Sequence, residues 1–111
     1  MTARGFIGIP ARCDLGEHVV AFEVSGDCMT GDGICDGDFV IVDPDQPVAH
    51  GDIAVFTFRT ETGIAMALKR LDRSVGIRLV PSNPAYQPIA IEHDSDLLFA
   101  GKVVATYRLH E

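Results

Sequence analysis

Short apolar runs separated by turn residues dominate the chain. Val19-Val20-Ala21-Phe22-Glu23-Val24 is β-branched and aromatic and ends at Ser25-Gly26-Asp27. Phe39-Val40-Ile41-Val42 lies between Asp36-Gly37-Asp38 and Asp43-Pro44-Asp45. Ile53-Ala54-Val55-Phe56-Thr57-Phe58 follows His50-Gly51-Asp52, and Met66 to Leu71 follows a turn near Glu61-Thr62-Gly63. Ile77-Arg78-Leu79-Val80 stops at Pro81-Ser82-Asn83-Pro84, and Val103 to Tyr107 makes the last run. Runs of four to seven such residues, bounded by Gly, Asp, Asn and Pro, predict strands. No window shows the i, i+3, i+4, i+7 stripe of an amphipathic helix. One helical turn is expected at Cys28-Met29-Thr30, with Asp27 as its cap. The expected fold class is mainly β, with curved antiparallel sheets in a partly barrel-like domain and at most short helical turns. Residues 1–18 read as an N-terminal arm and residues 19–111 as the domain.

Composition narrows the function. The 111 residues suit one domain, and 47% hydrophobic content supplies a core. No run approaches the length of a membrane span, and the start is too polar for a signal peptide, so a soluble cytoplasmic chain is expected. Acids outnumber bases by 16 to 9. Asp27 to Asp52 holds seven Asp and no Lys or Arg, which argues against direct nucleic-acid binding.

Cys13, Cys28 and Cys35 contain no C-x-x-C pair, and without an export signal reduced thiols are expected. Asp32-Gly33-Ile34-Cys35-Asp36-Gly37-Asp38 superficially resembles a calcium loop. Ile34 and Val40 stand where oxygen ligands are needed, and no Glu closes the loop. These acids therefore read as solvated turn carboxylates. No metal or other cofactor is expected.

Two positions suggest chemistry. Cys28 follows a strand and a Gly-containing turn, a geometry that lifts a nucleophile out of a sheet. A helical turn after it would aim free N–H groups at the same space, able to hold a thiolate or an oxyanion. Lys69, in Ala67-Leu68-Lys69-Arg70-Leu71, shares a strand face with Ala67 and Leu71, while Arg70 points the other way with Leu68. Apolar neighbours desolvate an amine, the condition for a lysine general base. The pair would form a nucleophile–lysine dyad. Each residue also has a plain reading: a buried small thiol for Cys28 and a snorkelling surface lysine for Lys69.

A resemblance adds to this. Val24-Ser25-Gly26-Asp27-Cys28-Met29 and Gly33-Ile34-Cys35-Asp36-Gly37-Asp38 are similar to the nucleophile segment of the LexA/UmuD family of self-cleaving peptidases, which reads S-G-D-S-M and then G-I-x-D-G-D. Further blocks match in order: Val42-Asp43, His50-Gly51-Asp52-Ile53, Leu68-Lys69-Arg70-Leu71, Leu79-Val80-Pro81-Ser82-Asn83-Pro84-Ala85-Tyr86-Gln87-Pro88-Ile89, and Gly101-Lys102-Val103-Val104. In look the chain is closer to UmuD than to a full-length LexA. The resemblance implies a nucleophile at Cys28, where the family carries serine, and a base at Lys69. It places Asp27 and Met29 at the wall of the site. It also implies homodimers, stimulation by the RecA filament, and either a translesion polymerase partner or a DNA-binding domain on a longer chain.

The expected function is therefore an autoproteolytic domain of the DNA-damage (SOS) response, a Ser/Lys-type peptidase with Ser replaced by Cys. The alternative is a catalytically vestigial dimerisation and partner-binding module. The family cuts its own chain at a small-residue–Gly bond. The X-Gly bonds of the arm are Arg4-Gly5, Ile7-Gly8 and Leu15-Gly16, none with a small residue before Gly.

Overall fold

The computed structural model describes residues 2–7, 18–27 and 29–108, the first segment as backbone only. Eight strands make one antiparallel sheet: β1 (Thr2–Ile7), β2 (Val20–Ser25), β3 (Phe39–Asp43), β4 (Ile53–Thr60), β5 (Gly63–Asp72), β6 (Ile77–Val80), β7 (Ile89–Ile91) and β8 (Leu97–Tyr107). Their spatial order is β1-β2-β3-β8-β4-β5-β6-β7. The sheet curls so that β1, at one edge, comes up against β5, but no ladder joins the two among the described residues. This is the mainly β, curved antiparallel architecture the apolar runs predict.

The runs become strands because neighbours complete their hydrogen bonding. All five residues of β3 are buried between β2 and β8, which explains a run without polar alternation. β4 and β5 pair continuously from Ile53↔Arg70 to Thr60↔Gly63. That ladder carries both strands beyond their apolar runs to a two-residue turn, Glu61-Thr62. Gly63 there takes φ +137°, which a side chain would strain.

Two buried clusters pack on the sheet. One joins Val24, Met29, Ile34, Val40, Val42, Val55 and Leu68. The other joins Ala54, Phe56, Phe58, Ala67, Leu71 and Leu79. Alternation along β4 and β5 sends Val55 and Leu68 to the first cluster and Ala54, Phe56, Ala67 and Leu71 to the second.

Four details differ from the sequence expectations. β1 and β7 were not legible as strands, because Thr2–Ile7 is interrupted by Arg4-Gly5 and Ile89–Ile91 is only three residues long. β8 begins at Leu97, six residues before its β-branched run, because β4 offers it a partner there. The helical turn is a 3-10 turn at Thr30–Asp32 and begins after Met29, with no side-chain cap. The Asp27 backbone carbonyl, not its carboxylate, receives the Thr30 N–H and hydroxyl at 3.3 and 3.0 Å.

The fourth detail is the acidic stretch, which is used rather than simply solvated. Asp36 accepts the Gly26 N–H at 2.8 Å. Asp38, 5% exposed, accepts the Cys35 N–H at 2.8 Å and two Arg108 bonds at 2.7 and 2.9 Å. Asp43 accepts the Asp45 N–H, and Asp52 the Ala49 N–H. Short carboxylates next to turns satisfy backbone donors that lack a ladder partner, so Asp is selected there for geometry as well as solubility.

Candidate active site

Asp27, Met29 and Lys69 are among the described residues; Cys28 and Cys13 lie outside them. The local fold around position 28 begins at the end of β2. Val24 N–H bonds the Asp38 carbonyl at 2.7 Å, and Gly37 N–H bonds the Val24 carbonyl at 2.8 Å. This closes the 24–38 excursion on itself. Gly26 takes φ +97°, a left-handed turn open to glycine, and redirects the chain out of the sheet. Asp36 holds that turn through the Gly26 N–H.

Met29 is fully buried in the cluster that contains Leu68 and Val55. Its carbonyl accepts the N–H groups of Asp32 and Ile34 at 3.1 and 3.2 Å, which tightens the 3-10 turn. The residue after position 28 is thus a plug pressed into the core. Asp27 on the other side is exposed, and the Tyr86 hydroxyl donates a hydrogen bond to its carboxylate.

Lys69 is 4% exposed. Ala54 faces it across β4, and Ala67 and Leu71 share its strand face, as the alternation predicts. Leu68 and Arg70 take the opposite face. Arg70 there donates to the Asp32 carboxylate and to the Gly51 carbonyl, tying β5 to the 3-10 turn. Burial of Lys69 removes the snorkelling reading, since a snorkelling head remains in water. β6 ends at Val80, opposite Arg70. The chain then leaves as Pro81-Ser82-Asn83 and runs to the Asp27–Asp32 segment, where Asn83 Nδ2 donates to the Asp27 carbonyl at 3.1 Å. Both flanks of position 28 are therefore linked to β5: through Leu68, through Arg70, and through the loop after β6.

Ser82, Asn83, Tyr86 and Arg70 were not singled out as site residues. They sit inside motif blocks, but no periodicity marks a loop residue such as Ser82, Asn83 or Tyr86 whose partner is 50 or more positions away, or the partner of Arg70 38 positions away. Among the described residues no group of three or more His, Cys, Asp and Glu side chains could hold a metal. Cys35 is half-buried and unbridged.

Residues 3–104 match the family profile of Peptidase S24-like proteins. The chain is 37% identical over 99 residues to the LexA repressor of Syntrophotalea carbinolica, covering 89% of this chain and 47% of that one. It is 37% identical over 109 residues to the LexA repressor of Geobacillus kaustophilus, covering 96% and 50%. The LexA repressor of Bacillus subtilis is 37% identical over 92 residues, covering 83% and 42%. The chain spans about half the length of the curated relatives it matches. With a profile match over most of its length, and relatives at this identity over the same residues, the chain belongs to the S24 peptidase-like family of LexA/UmuD type.

Proposed function

We propose that this chain is the self-cleaving peptidase unit of a LexA/UmuD-type protein of the DNA-damage response, with Cys28 as nucleophile and Lys69 as base. The observation that carries the reading is the burial of Lys69 in an apolar strand face, within a chain of this family. Lysine is scarce among fully buried residues, so one on this strand face of a family member is the residue to test as the base.

The steps follow from the residue types. The Lys69 amine takes the Cys28 thiol proton, and the sulfur attacks the carbonyl carbon of a peptide bond. The Lys69 ammonium then protonates the leaving amine. Water hydrolyses the thioester and regenerates the thiol, so atoms and protons balance. Asp27 and Met29 wall the site: Met29 by its core anchorage, Asp27 by its tie to Tyr86. Residues 19–111 form the peptidase-like unit, with 1–18 as an arm. Arg4 and Gly5 lie at the register irregularity of β1, between Ala3↔Val24 and Phe6↔Phe22.

By analogy with relatives named as LexA repressors, the reading extends to a homodimer in the cytoplasm that responds to the RecA filament. It serves either a longer chain's DNA-binding domain or a translesion polymerase. The test is cleavage of an added peptide with a small-residue–Gly bond, followed by mass spectrometry. It is run at about pH 9–10, where an ordinary thiol of pKa about 8.5 is ionised. Cleavage by the chain or by Cys28→Ser, abolished by Lys69→Ala, is expected. Absence of cleavage by both overturns the peptidase reading and leaves a dimerisation and partner-binding module.

A further inference from the structure

The loop after β6 grips the 27–32 segment at four points. Asn83 Nδ2 donates to the Asp27 carbonyl at 3.1 Å, and the Tyr86 hydroxyl donates to the Asp27 carboxylate. Ser82 Oγ accepts the Asp32 N–H at 3.1 Å and lies 4.0 Å from Met29 Sδ. A Cβ on Gly31 would come within 2.3 Å of the Ser82 carbonyl oxygen, so the two backbones touch. The loop is itself braced: Asn83 Oδ1 accepts the Ala85 N–H at 2.9 Å, which orients the amide so that its nitrogen faces Asp27. None of these side chains supplies a nucleophile, a base or a ligand.

We infer that Asn83 and Tyr86 are positioning residues for the proposed dyad, acting through Asp27, the residue before the nucleophile. This rests on the proposed dyad. The physical argument is the peptide plane. C=O and N–H leave a trans peptide on opposite sides, so a grip on the Asp27 oxygen fixes the direction of the amide that follows it. Asn83 therefore restrains the Asp27 end of the peptide that leads to the nucleophile. Tyr86 restrains the side chain of the preceding residue. The same loop leaves β6, whose pairing with β5 starts at Arg70, next to Lys69. Asp27 and Lys69 are thereby referenced to one piece of sheet, although they are 42 positions apart in sequence. Misplacement of a catalytic group by an ångström is enough to lose most of its effect, so two hydrogen bonds at this place are worth testing as part of the machinery.

The thiol is the probe, with Cys13 and Cys35 changed to Ser. The alkylation rate of Cys28 by iodoacetamide is measured at about pH 7 with and without Lys69→Ala. An ammonium near a thiol favours the thiolate, and one pKa unit is tenfold in thiolate fraction, so a rate loss of about tenfold is expected for Lys69→Ala. In the Asn83→Ala and Tyr86→Phe backgrounds that ratio should fall to about twofold or less. In a Ser74→Ala background, whose change lies in the β5–β6 turn, it should stay near tenfold. Thermal unfolding of each variant separates misplacement from loss of fold. Tyr86→Phe removes only a hydroxyl from an exposed ring and keeps the test alive if Asn83→Ala does not fold. An undiminished ratio in a folded Tyr86→Phe or Asn83→Ala chain overturns the positioning role while leaving the dyad intact. A ratio of one in the parental chain overturns the dyad, and the positioning role falls with it.

Discussion

Asp38 and Arg108, 70 positions apart, form a two-pronged ion pair with Arg108 Nε and Nη2 at 2.7 and 2.9 Å from the two carboxylate oxygens. Asp38 is buried, and Arg108 is half-exposed. The pair clamps the end of β8 to the turn that closes the 24–38 excursion, and Arg108 also reaches the Gly33 carbonyl at 3.3 Å. The arginine bonds hold the Asp38 carboxyl below its ordinary value, with the Cys35 N–H helping, against the opposing effect of burial.

A folded-state shift downward means that the stability is present above the ordinary carboxylate range and is lost as pH falls through the folded value. Arg108→Ala should therefore lower the urea midpoint at neutral pH, because it leaves the buried Asp38 carboxylate without its charged donors. The difference between Arg108→Ala and the parental chain should shrink as pH falls below the ordinary carboxylate range. Urea unfolding at pH 7 and pH 2.5 checks both statements. An equal difference at the two pH values would mean the pair contributes through packing alone.

His18 and Asp45 make the opposite case. His18 Nδ1 lies 2.5 Å from Asp45 Oδ2, and this bond raises the imidazole above its ordinary 6.5, with the charge of Asp45 adding to it. A raised folded value contributes stability that is present below the unfolded value and lost as pH rises through the folded one. Both groups are exposed, so the expected readout is the titration itself. By NMR, the His18 ring should titrate above pH 6.5 in the parental chain and move down in Asp45→Asn. An unmoved midpoint would remove the pair.

Gly101 is where two strands come too close for a side chain. A Cβ there would sit 2.3 Å from Val42 Cγ1 and 3.1 Å from the Phe99 ring. Valine is stiff at χ1, so the neighbour cannot simply swing away. Gly101→Ala should cost about 1–3 kcal/mol, as overpacked cores do. Adding Val42→Ala should return part of the lost melting temperature. If the double variant melts lower than either single change, by the sum of both, steric relief is not the mechanism.

Lys69→Met offers a direct test of why a lysine stands in the core. Methionine keeps the length and apolar stem of the side chain and removes the amine alone. Peptide cleavage and enhanced Cys28 alkylation should disappear in Lys69→Met while the chain still unfolds cooperatively on heating. A sharply lowered melting temperature would make Lys69 a structural residue whose interactions the fold requires.

Most of the fold is legible in the chain because its physics is local. β-branched and aromatic runs between Asp-Gly and Asn-Pro breaks delimit six of the eight strands, and alternation at Ala67, Lys69 and Leu71 correctly puts Lys69 on an apolar face. The ordered motif blocks likewise indicate the family. What the chain does not disclose is decided by partners distant in sequence. β7 is three residues and exists because β6 offers it a ladder. The leading residues of β8 become strand because Phe56, Thr57 and Phe58 of β4 offer them a ladder. The acids of residues 32–38 look like solvated turn carboxylates, and only folding shows Asp38 facing Arg108 and Asp36 holding Gly26. Asn83 and Tyr86 read as loop polarity until the sheet's curl brings the loop after β6 against Asp27. Residue types and local periodicity choose elements and faces. Which side chains meet across 40 to 70 positions depends on strand order, and strand order is settled by which assembly of faces buries the most apolar surface while pairing every backbone amide.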